Sequence, residues 1–263
     1  MNSKLQEVFT KAKSENRAAL IGYMPAGFPT LERSKKIIAA MISGGVDIVE
    51  VGFPYSDPVM DGPIIQQAAE VALRNQTSAA DVLDVVSNTS VPALVMSYWN
   101  PLERAGVSDF AKGLARAGGV GVITPDLTIE ESSEWFTATD ENQVGRVYVV
   151  APSTSDERLK RVSQACSGFV YAASLMGVTG ARTTVSDAAE NLVHRVRKVT
   201  DLPVAVGLGV STREQAKQVA SYADGVIVGS AFIKLILDSA NEKDGLEAVK
   251  VLASELAKGV RGA

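Results

Sequence analysis

Short apolar segments rich in β-branched residues recur along the chain, and segments with helical periodicity separate them. Most of the apolar segments are continuous rather than alternating, which is typical of parallel strands buried on both faces. Strands that alternate with helices predict an α/β fold. The predicted strands comprise residues 19–24, 46–51, 93–98, 120–124, 146–151, 169–172, 204–206 and 225–228.

The helical segments carry their own start and stop signals. Capping-box spacing begins at Ser78, Thr154 and Ser211, which predicts helix starts at these positions. The glycine pairs 44–45 and 118–119 are expected to end helices just before strands. These signals agree with the alternation of strands and helices.

Length and strand count favour a closed barrel over an open sheet. Eight strand–helix units in 263 residues match the ~250 residues typical of a (β/α)8, or TIM, barrel. No linker or composition shift marks a boundary, so residues 1–263 are expected to form one domain. Residues 3–13 show an apolar helical face, which predicts an extra N-terminal helix that plugs the bottom of the barrel. A second short helix, residues 231–237, is expected after strand eight.

Composition disfavours several classes of protein. Hydrophobic residues make up 46% of the chain, which is enough for a sizeable core. The net charge is −4 with no basic stripe, so nucleic-acid binding is not expected. No signal-peptide pattern opens the chain and no apolar run approaches ~18 residues, so no membrane association is expected. The single cysteine, Cys166, is interpreted as buried filler and suits a reducing, cytoplasmic location.

The most informative stretch, residues 50–63, follows the second predicted strand. Glu50 lies at the end of an apolar strand, where a core has little use for a carboxylate, and Asp61 follows in a loop rich in Pro and Gly. One rigid carboxylate and one on a loop suit general acid/base chemistry. Tyr98, Asp126 and Tyr171 lie at or just beyond other strand ends and are expected to join them at the barrel mouth.

Two glycine clusters lie after strands seven and eight, where TIM barrels usually hold phosphate. The first contains Gly207 and Gly209, and the second contains Gly229 and Ser230. Glycine lets backbone N–H groups approach an anion, and a helix N-terminus attracts one. The clusters therefore predict a phosphate site, with tight βα turns as the alternative. A third glycine-rich stretch, residues 176–184, predicts a mobile lid or, alternatively, a passive surface loop.

The residues disfavour two common aldolase mechanisms. A zinc site needs three or four ligands, but the single histidine, His194, falls in a predicted helix away from the strand ends. A Schiff base needs a lysine in the barrel mouth, and no predicted strand contains or ends in one. Lys234 lies one turn into the helix after strand eight. The groups that remain can move protons and oppose a developing positive charge.

The stretch Glu-Val-Gly-Phe-Pro-Tyr-Ser-Asp-Pro-Val-Met-Asp-Gly-Pro at residues 50–63 resembles the tryptophan synthase alpha subunit family. Ala-Gly-Phe-Pro at 26–29, Gly-Val-Thr-Gly at 177–180 and the two glycine clusters agree with that family in order and spacing. The resemblance covers essentially the full chain. It implies a carbon–carbon lyase (EC 4.2.1.20) that cleaves indole-3-glycerol phosphate to indole and glyceraldehyde 3-phosphate by a retro-aldol reaction.

The resemblance also implies a partner and the absence of a cofactor in this chain. No metal or cofactor is expected here, and pyridoxal phosphate is expected in a beta subunit that receives the indole and makes tryptophan. An α2β2 heterotetramer is the implied assembly. Two alternatives stay open: a stand-alone lyase that releases free indole, and a weakly catalytic subunit that mainly activates its partner.

The resemblance implies a role for each site residue. Glu50 is expected to protonate indole C3 and to take a proton from the glycerol hydroxyl, while Asp61 is expected to stabilise positive charge on the indole nitrogen. Tyr23 and Tyr171 are expected to line the indole site, and Thr179 to meet the Asp61 loop on closure. The residues assigned to the phosphate cradle are Gly180, Gly207, Gly209, Gly229 and Ser230.

Some positions depart from residues found in relatives of that family, namely Thr128, Leu175 and Leu208. They bear on partner fit and lid behaviour rather than on the chemistry. The loops after strands two and three are rich in apolar residues, which predicts a partner-docking surface on the active-site face. The residues expected to form it are Phe53, Pro54, Tyr55, Pro58, Val59, Met60, Trp99, Pro101 and Leu102.

Overall fold

The computed structural model describes residues 3–173, 182–207 and 209–262. Eight parallel strands pair in chain order and close into a barrel, which confirms the predicted α/β barrel. The strands are β1 (Ala19–Pro25), β2 (Ile48–Gly52), β3 (Ala93–Met96), β4 (Gly121–Thr124), β5 (Gly145–Val150), β6 (Val170–Ala173), β7 (Val204–Gly207) and β8 (Gly225–Val228).

Helices flank the barrel and precede it. They are α1 (Ser3–Ser14), α2 (Leu31–Gly44), α3 (Pro63–Arg74), α4 (Ala79–Ser87), α5 (Trp99–Ala105), α6 (Val107–Arg116), α7 (Ser133–Glu141), α8 (Asp156–Ala165), α9 (Arg182–Arg197), α10 (Arg213–Ala220), α11 (Ser230–Asp238) and α12 (Glu242–Val260). The short helix expected after β8 is α11, which is one residue longer at each end than predicted. In the part of the chain that the structure describes, none of the helices is long and apolar enough to cross a membrane.

Side chains alternate between the barrel interior and the helix layer along each strand, because successive residues of a strand point to opposite faces. Ile21, Ile48 and Phe169 face the interior, whereas Leu20 and Val49 pack toward the helices. Both faces are therefore apolar, and this explains why the strands read as continuous apolar runs.

Helix α1 closes the amino-terminal end of the barrel. Its Leu5, Phe9 and Ala12 are buried in the same cluster as the interior strand side chains. The Phe9 ring lies 5.8 Å from the ring of Phe169, measured between centroids. The predicted plug is thus confirmed.

Helix starts lie within one residue of the predicted positions. Ser78 caps α4, and Asp81 completes the capping box as predicted. Helices α8 and α10 begin one residue later than predicted, because their caps are Ser155 and Thr212. Local sequence patterns locate a helix start well but leave its register open by one residue.

Strand β2 begins two residues later than predicted. The carboxylate of Asp47 accepts hydrogen bonds from both terminal nitrogens of Arg17, at 2.7 and 3.0 Å, and from the Leu20 N–H at 2.9 Å. The Arg17 side chain is only 4% exposed. Residue 47 therefore ties the α1–β1 junction to the start of β2 instead of extending the strand.

The connections contain more helix than the alternation predicts. Two helices, α3 and α4, separate β2 from β3, and two more, α5 and α6, separate β3 from β4. Residues 182–184 of the predicted lid, 176–184, form the first turn of α9. Whether this stretch acts as a lid stays a prediction. Its remaining residues, 176–181, lie outside the described part of the chain.

Candidate active site

The inward-facing positions continue past the apolar core into a polar layer at the carboxyl ends of the strands. Two residues beyond Ile48 on β2 comes Glu50, and two beyond Ile21 on β1 comes Tyr23. Tyr23 and Glu50 are register partners in neighbouring strands. Tyr171 follows Phe169 in the same way on β6. The strand period thus brings three residues predicted for the site to one end of the barrel.

Glu50 is almost completely buried, with 1% of its surface exposed. Neither of its carboxyl oxygens has a hydrogen-bond partner among the described residues. Burial raises the pKa of Glu50 to about 8, because the charged form loses its hydration. At neutral pH this carboxyl therefore holds a proton that it can donate.

Asp61 lies at the end of the loop after β2, directly before Gly62 and Pro63 at the start of α3. Its N–H donates to the carbonyl of Pro58 at 3.0 Å, which closes a tight turn. Burial raises the pKa of Asp61 to about 6, and a hydrogen bond with the Tyr98 hydroxyl opposes this rise. At neutral pH Asp61 is therefore mostly ionised, unlike Glu50.

Tyr98 is buried beneath this loop, with 4% of its surface exposed. Its hydroxyl accepts a hydrogen bond from the Met60 N–H at 2.9 Å. Its ring centroid lies 5.2 Å from that of Tyr55. The sequence places Tyr98 near the mouth of the barrel but carries no signal for its contacts with the Asp61 loop.

Tyr23 and Tyr171 complete the group around the two carboxyls. Burial raises the pKa of both hydroxyls well above 10, and the charges of Asp61 and Glu50 add to the rise. Both tyrosines are therefore neutral hydrogen-bond donors across the physiological pH range. The structure brings Glu50 and Asp61 within electrostatic reach of both tyrosines, at the end of the barrel where the sequence predicts the site.

Three glycines make room for these tyrosine rings because they have no side chain. A Cβ on Gly52 would lie 2.7 Å from Cζ of Tyr23, and a Cβ on Gly229 would lie 3.0 Å from its Cδ1. A Cβ on Gly207 would overlap the hydroxyl of Tyr171. The missing side chains at Gly207 and Gly229 therefore have a packing role that the predicted phosphate cradle does not include.

The predicted phosphate end lies at the carboxyl ends of β7 and β8, which are hydrogen-bonded neighbours. Gly229 is the N-cap of α11 and Ser230 is its first residue, so backbone N–H groups of the first turn face outward from the helix start. Gly209 has φ +69, and apart from its chain neighbours no described residue has an atom within 4 Å of where its Cβ would stand. Thr179 and Gly180 lie outside the described residues.

Comparison with known proteins gives the family. The model of the family described as "Tryptophan synthase alpha chain" matches residues 9–261. This chain belongs to the tryptophan synthase alpha chain family. It is 55% identical over 262 residues to the tryptophan synthase alpha chain of Streptomyces avermitilis, covering 98% of this chain and 95% of the relative.

Solved structures agree with this family. A Mycobacterium tuberculosis tryptophan synthase structure superposes with a TM-score of 0.91 at 50% identity, covering 98% of each chain. The tryptophan synthase subunit alpha of Legionella pneumophila superposes with a TM-score of 0.89 at 32% identity, covering 99% of this chain and 98% of that one. The tryptophan synthase alpha family is a lyase family, and membership implies a beta-subunit partner.

The lysine, the cysteine and the histidine that alternative chemistries would use have the following surroundings in this tryptophan synthase alpha chain. The Lys234 amine donates to Asp238 at 2.6 Å on an exposed part of α11. Burial raises the pKa of the Cys166 thiol to about 12, so it stays protonated. His194 is exposed on α9. Among the described residues, no group of three or more His, Cys, Asp or Glu side chains is arranged to hold a metal ion.

The predicted apolar docking surface is wrong in its extent. Val59 and Met60 are the strongly exposed members, at 81% and 54%. Phe53 instead stacks on Phe110, with ring centroids 6.0 Å apart. Three other members are buried, namely Pro54, Pro101 and Leu102. Most of these side chains pack the loops onto the barrel, and a small apolar tip remains exposed.

Proposed function

We propose that this chain cleaves indole-3-glycerol phosphate to indole and glyceraldehyde 3-phosphate, with Glu50 as the acid/base and Asp61 as the electrostatic stabiliser. The observation that carries the proposal is Glu50 itself, a buried carboxyl without a hydrogen-bond partner among the described residues and with a pKa of about 8. A protonated carboxyl beside an ionised one supplies an acid and a counter-charge in one site.

The proposed reaction begins when Glu50 donates its proton to indole C3. The ring nitrogen then carries positive charge, which the Asp61 carboxylate stabilises across a water-poor site. Glu50, now ionised, takes the proton of the adjacent glycerol hydroxyl. The carbon–carbon bond breaks, its electron pair restores the aromatic indole, and the former hydroxyl carbon becomes the aldehyde. Glu50 ends protonated, as it began, so the cycle needs no cofactor in this chain.

The test is turnover of indole-3-glycerol phosphate by Glu50→Gln, with indole and glyceraldehyde 3-phosphate measured together. Loss of a positioned acid/base costs ~10²–10⁴-fold in kcat, and here one group serves two transfers. Glu190→Gln is the matched control, because Glu190 is exposed on α9. A Glu50→Gln variant that keeps more than a tenth of wild-type turnover would rule out the assigned role.

Phosphate recognition is proposed for the start of α11, together with Gly209. Substitutions of the glycines would not test this cleanly, because Gly229 packs on Tyr23 and Gly209 has a positive φ. Ser230→Asp is a sharper change. An acidic residue in the first turn stabilises a helix, so the fold is preserved while a negative charge repels the phosphate.

We expect KM of Ser230→Asp to rise at least about tenfold, because like charges repel at short range. Ser230→Asn introduces a side chain of the same shape as Asp but without the charge, so it should change KM little. Inorganic phosphate should compete with substrate in the wild type. If Asp and Asn behave alike and phosphate does not compete, the phosphate site lies elsewhere.

A beta subunit that carries pyridoxal phosphate is the proposed partner, in an α2β2 assembly that receives the indole. The exposed tip formed by Val59 and Met60 lies on the loop that carries Asp61, so a partner that covers it would bias the catalytic loop. Val59→Glu should weaken the complex in sedimentation and reduce activation. Val251→Glu, 53% exposed on α12, is the matched control.

The same experiment separates the alternatives. If no complex forms and adding the beta subunit leaves the rate of cleavage unchanged, the chain is a stand-alone lyase. A complex in which Glu50→Gln still activates the partner, while the wild-type chain alone barely turns over, would indicate a mainly activating subunit.

A further inference from the structure

We propose that Tyr98 is a positioning residue that fixes the Asp61 loop against the barrel and sets the ionisation of the Asp61 carboxyl. The inference rests on the proposed function of Asp61 and adds a residue that acts through it.

The backbone around Tyr98 is rigidly held. The Ser97 N–H donates to the Ile123 carbonyl at 3.0 Å, and the Ser97 hydroxyl donates to the Tyr98 carbonyl at 2.8 Å. The Trp99 N–H donates to the Asp126 carboxylate at 2.9 Å. Tyr98 is thus fixed from β4 and from the loop after it, on a part of the barrel separate from the Asp61 loop.

The loop, by contrast, is held at its tip by local turns, by Gln66 of α3 and by Tyr98. The Val59 N–H donates to the Asp57 carbonyl at 2.9 Å, and the Asp61 N–H donates to the Pro58 carbonyl at 3.0 Å. The Gln66 side-chain amide donates to the Asp61 carbonyl at 2.8 Å. The Tyr98 hydroxyl accepts from the Met60 N–H at 2.9 Å, which places it at the residue before Asp61 and leaves its own proton free to be donated. One hydroxyl therefore joins the backbone of the loop to a fixed point, and it lowers the pKa of the neighbouring Asp61 carboxyl.

The position of the Tyr98 hydroxyl beside Asp61 has a chemical consequence. A hydroxyl that donates to a carboxylate favours the charged form, and charge on Asp61 is what the proposed reaction requires. The other titratable groups around Asp61 are Tyr23 on β1, Glu50 on β2 and Tyr171 on β6. The tyrosines remain protonated across the assay range, and Glu50 titrates near pH 8. Asp126, in the loop after β4, acts on the Tyr98 hydroxyl, and burial raises its pKa. The event near pH 6 is therefore assigned to Asp61 by its loss in Asp61→Asn.

The test is Tyr98→Phe, which keeps the ring that packs on Tyr55 and removes only the hydroxyl. Carbon-13 NMR would follow the Asp61 carboxyl, assigned by its loss in Asp61→Asn. We expect its titration midpoint to rise by roughly half to one pH unit in Tyr98→Phe. The acidic limb of kcat/KM should move by the same amount relative to wild type. Comparison with wild type matters because a phosphate monoester itself titrates near pH ~6.

Tyr55→Phe is the matched control, since it removes a hydroxyl from the other ring of the pair and should leave the Asp61 midpoint unchanged. An unchanged midpoint in Tyr98→Phe, or a fall in kcat that is equal at every pH, would overturn the proposal. If the midpoint moves but the acidic limb does not, Tyr98 sets the ionisation and the proposed role of Asp61 fails instead.

Discussion

Glu50 and Asp61 carry the same functional group, yet one lies in a strand and the other in the loop that follows it. Glu50 is sealed in the barrel without a hydrogen-bond partner among the described residues, and its pKa is about 8. Asp61 is less buried, has the Tyr98 hydroxyl beside it, and its pKa is about 6. The comparison teaches that the position of each carboxyl on the fold, more than its residue type, determines whether it serves as acid or as counter-charge.

The largest effect that tests this comparison comes from Asp61→Asn, which keeps the shape and removes the charge. If Asp61 acts as a counter-charge, kcat should fall about 10²- to 10³-fold, because the interaction matters mainly in the transition state. Equilibrium binding of an unreactive phosphate-bearing analogue, measured by calorimetry, should stay near normal. Asp57→Asn, on the exposed part of the same loop, is the control. A defect confined to binding would make Asp61 a substrate-positioning residue.

The dependence of fold stability on pH tests whether the pKa of Glu50 is raised. The unfolded chain ionises Glu50 near pH 4.5 and the folded chain near pH 8. The stabilisation from the raised pKa is therefore fully present below pH 4.5 and is lost as pH rises to about 8.

Because one unit of pKa shift corresponds to about 1.4 kcal/mol, Glu50→Gln should be more stable than wild type by on the order of 2–4 kcal/mol at pH 8.5. The two proteins should differ little at pH 4.5. Urea unfolding at several pH values measures the difference. A gain that does not depend on pH would mean that folding does not raise the pKa of Glu50.

The smallest effect, and the most direct comparison, is titration of the two carboxyls in one sample. Carbon-13 NMR of the wild type should show a carboxyl midpoint near 8 that disappears in Glu50→Gln and one near 6 that disappears in Asp61→Asn. Midpoints that coincide, or that exchange places, would contradict the assignment of acid and counter-charge.

The fold was predictable because the barrel requires strands buried on both faces, and such strands have a distinctive sequence pattern. Glu50 was predictable for the same reason, since a carboxylate in an apolar strand stands out. The beginning of β2 was not, because Asp47 leaves the strand for contacts with Arg17 and Leu20, which come from earlier in the chain. Tertiary contacts of this kind leave no local signal.

The site was predictable residue by residue but not contact by contact. Tyr98 could be assigned to the barrel mouth, yet its hydrogen bond to Met60 depends on how two loops pack. The role of a glycine is equally hard to predict from sequence, because the space left by the missing side chain can hold an anion or an aromatic ring. At Gly207 and Gly229 the structure shows the rings of Tyr171 and Tyr23 in that space. The role of these glycines toward phosphate stays a prediction.

Helix α1 has a consequence for how substrate and products reach and leave the site. It closes the amino-terminal end of the barrel, and the interior side chains of the strands fill the space above it. Among the described residues this filling leaves the carboxyl ends of the strands as the end where Glu50 can meet a substrate, so substrate and both products would pass through the same end of the barrel. A protein bound over the carboxyl ends of the strands would receive the apolar product directly. Without it, that product would be released into water.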